Sequence, residues 1–203
     1  MTKNPLNDQL WTPRSAKDTR ALYADWAAAY DADLAQAGYH TPGRVAAALA
    51  KYLPDRAAPI LDFGCGTGLS GVALRTTGFQ TIDGTDITPE MLEKAEHTGA
   101  YRHLWVGKPG TLGNRAAGEY AAITAAGVIS LGAAPPDTLM MLLDALAPGG
   151  FVVFSFNDST MADPAYTTAH QAVLAQAEQL SAEYGPHLDS KNMGSTVYVL
   201  RKT

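Results

Sequence analysis

Short apolar runs alternate with helical segments from Pro59 to the end of the chain, and this alternation constrains the fold more than any other feature. The apolar runs predict strands at about 59–63, 80–85, 101–106, 120–125, 151–156 and 196–200. Helical periodicity or capping signals predict helices at 69–76, from Thr88 onward, at 137–147 and at about 164–183. Strands that alternate with helices form βαβ units. We therefore predict an α/β fold with a mostly parallel sheet and helices on both faces, in three layers.

The first 58 residues carry a different pattern, which predicts a polar arm followed by two helices. Residues 1–16 are polar and mixed in charge, and they are expected to form the arm. From Lys17 to about Gly38 the apolar residues fall on one stripe at helical spacing, which predicts one helix. Thr41-Pro42 is a typical helix start and begins the second. With no long linker in the chain, residues 17–203 are expected to form a single domain.

Composition excludes several classes of protein. Of the 203 residues, 46% are hydrophobic and 17% are charged, and the net charge of −5 gives no general attraction to nucleic acid. The lone cysteine, Cys65, excludes an internal disulfide, and the histidines show no metal-ligand spacing, so no metal is expected. Neither a signal peptide nor a membrane span is predicted. A cytoplasmic protein with no nucleic-acid partner and no membrane attachment is the expectation.

In sheets of this kind, ligands bind beyond the carboxyl ends of the strands. The most informative loop follows the first strand, in the segment Leu61–Gly71, where glycines allow a sharp turn and close approach of a ligand to the backbone. Gly66-x-Gly68-x-x-Gly71 matches the dinucleotide fingerprint, which is a weak signal alone. Asp62 at the strand end would repel a pyrophosphate, but it suits a ligand that carries a cationic amino group or a sulfonium.

Asp86 ends the second strand, 22 positions after Gly64, where a carboxylate can accept hydrogen bonds from ribose hydroxyls. An adenosyl group and a cation together describe S-adenosylmethionine. Two alternatives stay open at this point. One is an NAD(P)-binding oxidoreductase on the same fold, and the other is a non-catalytic regulatory module that binds the cofactor.

Three ordered segments resemble the class I S-adenosylmethionine-dependent methyltransferases. Ile60–Gly68 looks like their motif I, Gly84–Leu92 like their second motif, and Leu146–Phe154 like the segment that leads into strand five. The early stretch Tyr23–Asp33, with Gly38-Tyr39, is similar to the Williams–Beuren-region methyltransferase-like group. The resemblance implies a Rossmann-like fold with an antiparallel C-terminal strand. It also implies S-adenosylmethionine as cofactor, S-adenosylhomocysteine as product, and helices of residues 17–53 as a lid over the site.

The resemblance also implies roles for individual residues. Asp86 would hold the ribose, and Tyr30 and Trp26 would close over the methionine moiety. The further cofactor contacts that it implies are Asp62, Gly64 and Gly66 at the methionine end, Ile87 and Met91 at the adenine edge, and Ala125 and Ala126 on the substrate side. Many members place an acidic residue near the adenine after strand three, whereas this chain has Val106-Gly-Lys-Pro-Gly110. Strand six is expected to be very short or irregular, because Gly185, Pro186 and Gly194 are poor strand formers.

The expected reaction is direct in-line methyl transfer to a small-molecule acceptor, because few residues are left beyond the core for recognition of a large partner. Tyr39 and His40, between the N-terminal helices, and Asn157, after strand five, are predicted acceptor contacts. No catalytic residue is identified. His40 and Tyr30 are the candidates for a general base.

Overall fold

A twisted sheet of seven strands runs through the computed structural model, which describes residues 5–6, 10–113 and 115–203. The strands are β1 (Pro59–Phe63), β2 (Thr81–Asp86), β3 (His103–Val106), β4 (Ala122–Ala125), β5 (Phe151–Asn157), β6 (Ala177–Leu188) and β7 (Met193–Lys202). Their order in the sheet is β3-β2-β1-β4-β5-β7-β6. Strands β1 to β5 are parallel, while β7 is antiparallel to β5 and to β6. The predicted Rossmann-like α/β fold with an antiparallel C-terminal strand is confirmed.

Helices cover both faces of this sheet. They are α1 (Ala16–Trp26), α2 (Tyr30–Ala37), α3 (Thr41–Tyr52), α4 (Leu69–Thr76), α5 (Pro89–His97), α6 (Thr138–Asp144), α7 (Asp158–Met161) and α8 (Pro164–Val173). Side chains of α3 and α4 join the core on one face, and those of α6 and α8 join the core on the other. No helix among the described residues is long and apolar enough to cross a membrane.

Neighbouring residues of the central strands point to opposite cores, as the pleat of a strand requires. In β1, Ile60 packs with the core under α3 and α4, whereas Leu61 packs with the core under α6 and α8. Val153 and Val152 of β5 divide in the same way, and all four residues are fully buried. Burial on both faces explains why these strands are continuous apolar runs rather than alternating ones.

The strand order reverses at β1, which pairs with β2 on one side and with β4 on the other. At such a point the loops after neighbouring strands leave in opposite directions and open a crevice at the carboxyl edge of the sheet. The glycine-rich loop after Phe63 and the loop after Ala125 border this crevice. The fold therefore brings the predicted ligand loops to one place.

The prediction of one helix from Lys17 to Gly38 was wrong, because α1 ends at Trp26 and α2 begins at Tyr30. The break falls in three alanines, which favour helix, so local propensity does not explain it. Contacts between residues on either side of the break hold α1 and α2 together. The Trp26 indole donates to the Asp33 carboxylate at 2.7 Å, and its ring meets the Tyr30 ring edge-on at 4.6 Å between centroids.

The prediction of a long helix at 164–183 was also wrong, and strand six is irregular, as expected, but not short. Helix α8 ends at Val173, and β6 then extends over 12 residues. Pairing with β7 outweighs the helical tendency of the Ala, Gln and Glu residues there. The register shifts beside Pro186, where β6 is the outer strand of the sheet, and an edge strand tolerates a proline that cannot donate a ladder hydrogen bond.

The described part of the predicted arm packs on the domain. Leu6 is buried with Leu34 and Leu188, and Leu10 and Trp11 lie against the same cluster. Residues 1–4 and 7–9 of the arm lie outside the described residues. The remaining predicted strands and helices are confirmed, mostly to within one or two residues at their ends, and helix α6 is three residues shorter at its C-terminal end than expected.

Candidate functional site

The loop after β1 turns through three glycines in left-handed backbone conformations. The φ angles are +66° at Gly64, +53° at Gly66 and +97° at Gly68. Residues that carry a Cβ rarely adopt such values. A Cβ on Gly64 would lie 2.6 Å from a methyl group of Val128, so this position has no room for a side chain. A Cβ on Gly66 would meet no atom within 4 Å, because the residue borders open space. Gly66 therefore presents bare backbone to a cavity.

Asp86, at the end of β2, holds this glycine turn and faces the same cavity. Its Oδ2 accepts from the Gly66 N–H at 3.0 Å, and its Oδ1 accepts from the Thr88 N–H at 2.8 Å. Burial raises the pKa of Asp86 above its usual range, although the N–H groups of Thr88 and Gly66 act in the opposite direction. The carboxylate thus ties two loops together and remains part of the cavity wall.

Asp62 lies beneath the glycine turn rather than in the cavity, since its side chain is fully buried and does not line the cavity. Three hydroxyls donate to its carboxylate: Ser70 at 2.5 Å, Tyr101 at 2.8 Å and Thr124 at 3.0 Å. Burial raises the pKa of Asp62 to about 6, against the effect of these donors. The arrangement joins β1 to α4, to β4 and to the segment before β3. The structure gives no support to the predicted contact of Asp62 with a ligand.

Tyr101 supports the turn from the side and was missed in the sequence. Its hydroxyl donates to Asp62 and accepts from the Gly71 N–H at 3.0 Å. The ring occupies space that Gly71 and Gly84 leave open, because a Cβ on either glycine would come within 3.0 Å of it. A signal existed in the unexplained glycine in the middle of β2, which indicates close approach of another group to the strand.

A cavity of about 410 Å³ opens above the glycine turn. One side, which we call the glycine wall, consists of Gly64, Gly66, Asp86, Ile87 and Met91. Loop residues 107–111, which follow β3, continue this wall. A second group of lining residues, which we call the arm wall, consists of Pro13, Arg14, Thr19, Tyr23, residues 131–135, Thr138 and Tyr166. Tyr30 and Ala126 also line the cavity.

Gly132 is the anchor of the arm wall. Its carbonyl oxygen accepts from Arg14 Nη1 and from Thr19 Oγ1, each at 3.0 Å. The backbone of the arm lies against the same residue, since a Cβ on Gly132 would be 2.6 Å from the carbonyl oxygen of Thr12. With φ at +78° and no space for a Cβ, this position requires glycine. The arm and the loop after β4 therefore close one side of the cavity together.

Two phenol groups stand in the cavity as neutral hydroxyls. Burial raises the pKa of Tyr23 to about 12, with a smaller opposing effect of the Arg14 charge. Burial likewise raises the pKa of Tyr30 well above its usual range. Both groups stay protonated near neutral pH, so they can donate hydrogen bonds but cannot serve as bases.

Several predicted site residues lie outside the cavity lining. Trp26 is buried in the aromatic cluster with Tyr23 and Tyr30. Ala125 is fully buried within β4, one residue before the lining begins. The structure thus brings together Tyr30, Gly64, Gly66, Asp86, Ile87, Met91 and Ala126 from the predicted cofactor set.

The predicted acceptor contacts are also outside the lining. His40 Nε2 lies 2.8 Å from Asp189 Oδ2 on the exposed surface. Asn157 Oδ1 accepts from the Thr160 N–H at 2.9 Å and caps the short helix α7. The Tyr39 hydroxyl lies against Gly127, a lining residue, while its ring packs edge-on against His187. Arg14, Tyr23 and the 131–135 loop border the cavity in their place.

The chain is similar in sequence to known proteins. A family model described as a methyltransferase domain matches residues 37–193. Methyltransferase-like protein 27 of Homo sapiens is 34% identical over 164 residues, which cover 78% of this chain and 65% of that protein. Ribosomal protein L11 methyltransferase of Burkholderia ambifaria is 28% identical over 194 residues, which cover 91% of this chain and 55% of that protein. The chain therefore spans between about half and two thirds of the length of these relatives.

A solved structure shows the same fold. The TehB-like SAM-dependent methyltransferase from Corynebacterium glutamicum superimposes with a TM-score of 0.62 at 22% identity. The match covers 90% of this chain and 100% of that chain.

Proposed function

Because the chain belongs to the class I S-adenosylmethionine-dependent methyltransferases, we propose that it transfers the methyl group of this cofactor to a small-molecule acceptor. The observation that carries the proposal is the cavity with two chemically different walls. The glycine wall offers the Asp86 carboxylate, bare backbone and the Lys108 cation of the loop that continues it, and the arm wall offers an apolar surface with Arg14. A volume of about 410 Å³ is within the range of small-molecule sites.

The glycine wall fits the cofactor. The open space at Gly66 lets a ligand approach the backbone, and Asp86 supplies an acceptor for ribose hydroxyls beside it. We propose that Gly64, Gly66 and Asp86 hold the cofactor, with Ile87 and Met91 against the adenine. Tyr30 lines the cavity from α2, consistent with the predicted contact with the methionine moiety. Asp62 acts through the turn that it supports from below and is a positioning residue in this proposal.

When bound, S-adenosylmethionine supplies a methyl group on a sulfonium. The sulfur is a good leaving group because it departs as the neutral thioether of S-adenosylhomocysteine. The residues of the chain then have to bind and orient the acceptor and exclude water. Alignment of this kind can lower a barrier by roughly 7–11 kcal/mol. The loop after β4 and the arm shape the space for the acceptor in this proposal, because they supply the lining residues outside the glycine wall.

No general base stands out among the described lining residues. Tyr30 is protonated because burial raises its pKa, and His40 pairs with Asp189 outside the cavity. Asp86 is already engaged by two backbone N–H groups. The chain therefore works mainly by positioning, and we propose that the acceptor atom reaches the cavity with a lone pair available.

Asp86→Ala is the test of the cofactor site. Removal of the carboxylate takes away hydrogen bonds to a charged acceptor, so the affinity for S-adenosylhomocysteine should fall at least about tenfold. Asp86→Asn is the matched control, since its amide oxygen can still accept from Gly66 and should retain part of the affinity. Calorimetric titration measures both, and circular dichroism checks that the fold is intact. Unchanged affinity in Asp86→Ala would show that the carboxylate is not the ribose anchor.

Two further measurements decide the function itself. Titration with NAD under the same conditions should give no saturable binding, and saturable binding of NAD alone would indicate the oxidoreductase alternative. Methyl transfer should appear in a screen of small metabolites scored by formation of S-adenosylhomocysteine. Cofactor binding without turnover across the screen would favour the non-catalytic module. Turnover with a protein acceptor only, as the name of the Burkholderia relative suggests for that enzyme, would replace the small-molecule acceptor.

A further inference from the structure

A hydrogen bond outside the cavity joins helix α2 to the glycine turn. The Thr67 hydroxyl donates to the Asp31 carboxylate, with 2.5 Å between Oγ1 and Oδ1. Thr67 lies between Gly66 and Gly68 in the turn and is buried, while Asp31 lies in the first turn of α2. Neither Thr67 nor Asp31 lines the cavity. A short bond from a hydroxyl to a carboxylate is charge-assisted, which makes it one of the stronger kinds of hydrogen bond in a protein.

Each partner of this bond is the neighbour of a residue that does line the cavity. Gly66 precedes Thr67 and presents its bare backbone to the cavity. Tyr30 precedes Asp31 and lines the cavity from α2. Burial raises the pKa of the Tyr30 phenol and the Asp86 charge adds to this rise, which places the phenol near the proposed ribose anchor. The bond therefore closes a ring of chain in which Gly66 and Tyr30 border the same space.

The two ends of α2 are held by different contacts. Towards the C-terminal end, Leu34 and Ala37 are buried together with Leu188. At the N-terminal end, Tyr30 packs against the same cluster but is only partly buried. Among the described residues, the bond to Thr67 is the hydrogen bond that a side chain of α2 makes beyond the two helices α1 and α2. Apolar packing has no preferred direction, whereas a hydrogen bond does, so this bond fixes the orientation of the first turn of α2.

We propose that the hydrogen bond between Asp31 and Thr67 holds Tyr30 against the bound cofactor and slows the release of the product S-adenosylhomocysteine. Asp31 and Thr67 are positioning residues, since they act through Tyr30 and Gly66 rather than by contact with the ligand. This inference rests on the proposed function and adds two residues to its cofactor site. Without the bond, the first turn of α2 keeps its apolar contacts but loses its fixed orientation, so the ligand leaves faster from a chain that stays folded.

The test measures how fast S-adenosylhomocysteine leaves the full chain, by surface plasmon resonance on the immobilised protein. Asp31→Ala should increase the dissociation rate about tenfold, because a hydrogen bond to a charged acceptor is lost. Asp31→Asn is the matched variant. Its amide oxygen can still accept from Thr67, so its rate should stay within about threefold of the wild type. Asp25→Ala, which removes an exposed carboxylate from α1, should leave the rate unchanged.

Variants of the donor test the same bond from its other side. Thr67→Val removes the hydroxyl at nearly constant shape and should match Asp31→Ala, whereas Thr67→Ser keeps the hydroxyl and should retain the wild-type rate. The double variant of Asp31→Ala and Thr67→Val should release the ligand no faster than either single variant, since both remove one bond. Effects that multiply in the double variant would contradict a shared bond.

The remaining outcomes separate this inference from the function on which it rests. Unchanged rates in Asp31→Ala and Thr67→Val, even with a loss of stability in urea, would make the bond purely structural and overturn the inference, with the proposed function intact. Equally fast release in Asp31→Ala and Asp31→Asn, with none in Thr67→Val, would assign the Asp31 carboxylate to the ammonium group of the cofactor and overturn the positioning role. Absence of binding in the wild type would overturn the proposed function and this inference with it.

Discussion

The two walls of the cavity are built in different ways. The glycine wall comes from the segments that follow β1, β2 and β3 within residues 64–111, and backbone torsions with hydrogen bonds to Asp86 determine the shape of its turn. The arm wall joins residues as distant in sequence as Arg14, Gly132 and Tyr166. The binding site for a cofactor that every member of a family uses can be built from local geometry. The binding site for an acceptor that differs between members needs a surface that can vary. The contrast teaches where the specificity of this chain should reside.

The largest expected effect on this comparison comes from replacing Asp62, which lies beneath the turn of the glycine wall. Asp62→Ala leaves the hydroxyls of Ser70, Tyr101 and Thr124 without their acceptor, so the free energy of unfolding at pH 5 should fall by about 3 kcal/mol. Urea denaturation measures this loss. Affinity for S-adenosylhomocysteine in the folded protein should change less than about threefold, well below the loss in Asp86→Ala.

Thr124→Val is the matched control, because it removes one of the three donors and should cost about 1 kcal/mol. If Asp62→Ala instead weakened cofactor binding tenfold and left stability unchanged, Asp62 would be a direct contact. The glycine wall would then extend below the turn, and the assignment of Asp62 as a positioning residue would fail.

The next effect concerns pH. Burial raises the pKa of Asp62 to about 6 from an ordinary value of 3.8, so the folded state binds a proton that the unfolded state has released. The stabilising contribution of this group is therefore fully present below pH 3.8 and is lost as the pH rises through 6. Between pH 4.5 and 7 the loss should amount to about 2 kcal/mol, at about 1.4 kcal/mol per pKa unit.

Asp62→Asn isolates this contribution, since the amide has a similar size and does not titrate. The difference in unfolding free energy between the wild type and Asp62→Asn should change by that amount over the same pH range, in favour of the variant at the higher pH. A constant difference would mean that the carboxyl group of Asp62 has the same pKa in the folded and unfolded chain.

The smallest expected effect concerns the contact between the arm backbone and Gly132 of the arm wall. Gly132→Ala introduces a Cβ against the arm backbone at a residue with φ of +78°, so the arm should detach from the 131–135 loop. We expect a loss of unfolding free energy of about 1–2 kcal/mol and faster cleavage by trypsin after Arg14 and Lys17. The glycine wall should keep most of its affinity for S-adenosylhomocysteine, as calorimetry will show.

Gly99→Ala is a matched control for the torsional cost alone. Its φ is +63°, and a Cβ there would meet no atom within 4 Å. Equal stability and equal cleavage rates in the two variants would contradict a contact between the arm and Gly132. Faster cleavage in Gly132→Ala alone would support the arm wall as described.

The glycine wall could be predicted from the sequence because its signals are local. Glycines after an apolar run and an aspartate at the next strand end are enough to place Gly64, Gly66 and Asp86. The strands of the parallel sheet were predictable for the same reason, since burial on both faces makes them continuous apolar runs. Asp62 shows the limit, because the motif identified the residue but did not show that Ser70, Tyr101 and Thr124 would enclose its carboxylate.

The arm wall could not be predicted in this way. Nothing in the sequence around Arg14 indicates that its guanidinium meets the carbonyl of Gly132, which is 118 positions away. The extended β6 could not be predicted for the same reason, because its ladder with β7 outweighs local propensity. The break between α1 and α2 falls where local propensity favours helix, so the sequence did not predict it.

Tyr101 and the two glycines that make space for it have a consequence for how this chain can change over time. A side chain at Gly71 or Gly84 is incompatible with the Tyr101 ring, and a smaller residue at 101 would leave a void beneath the glycine turn. The three positions thus depend on one another, so a substitution at one of them is acceptable only together with changes at the others. Relatives in which the arm wall differs should still keep all three residues.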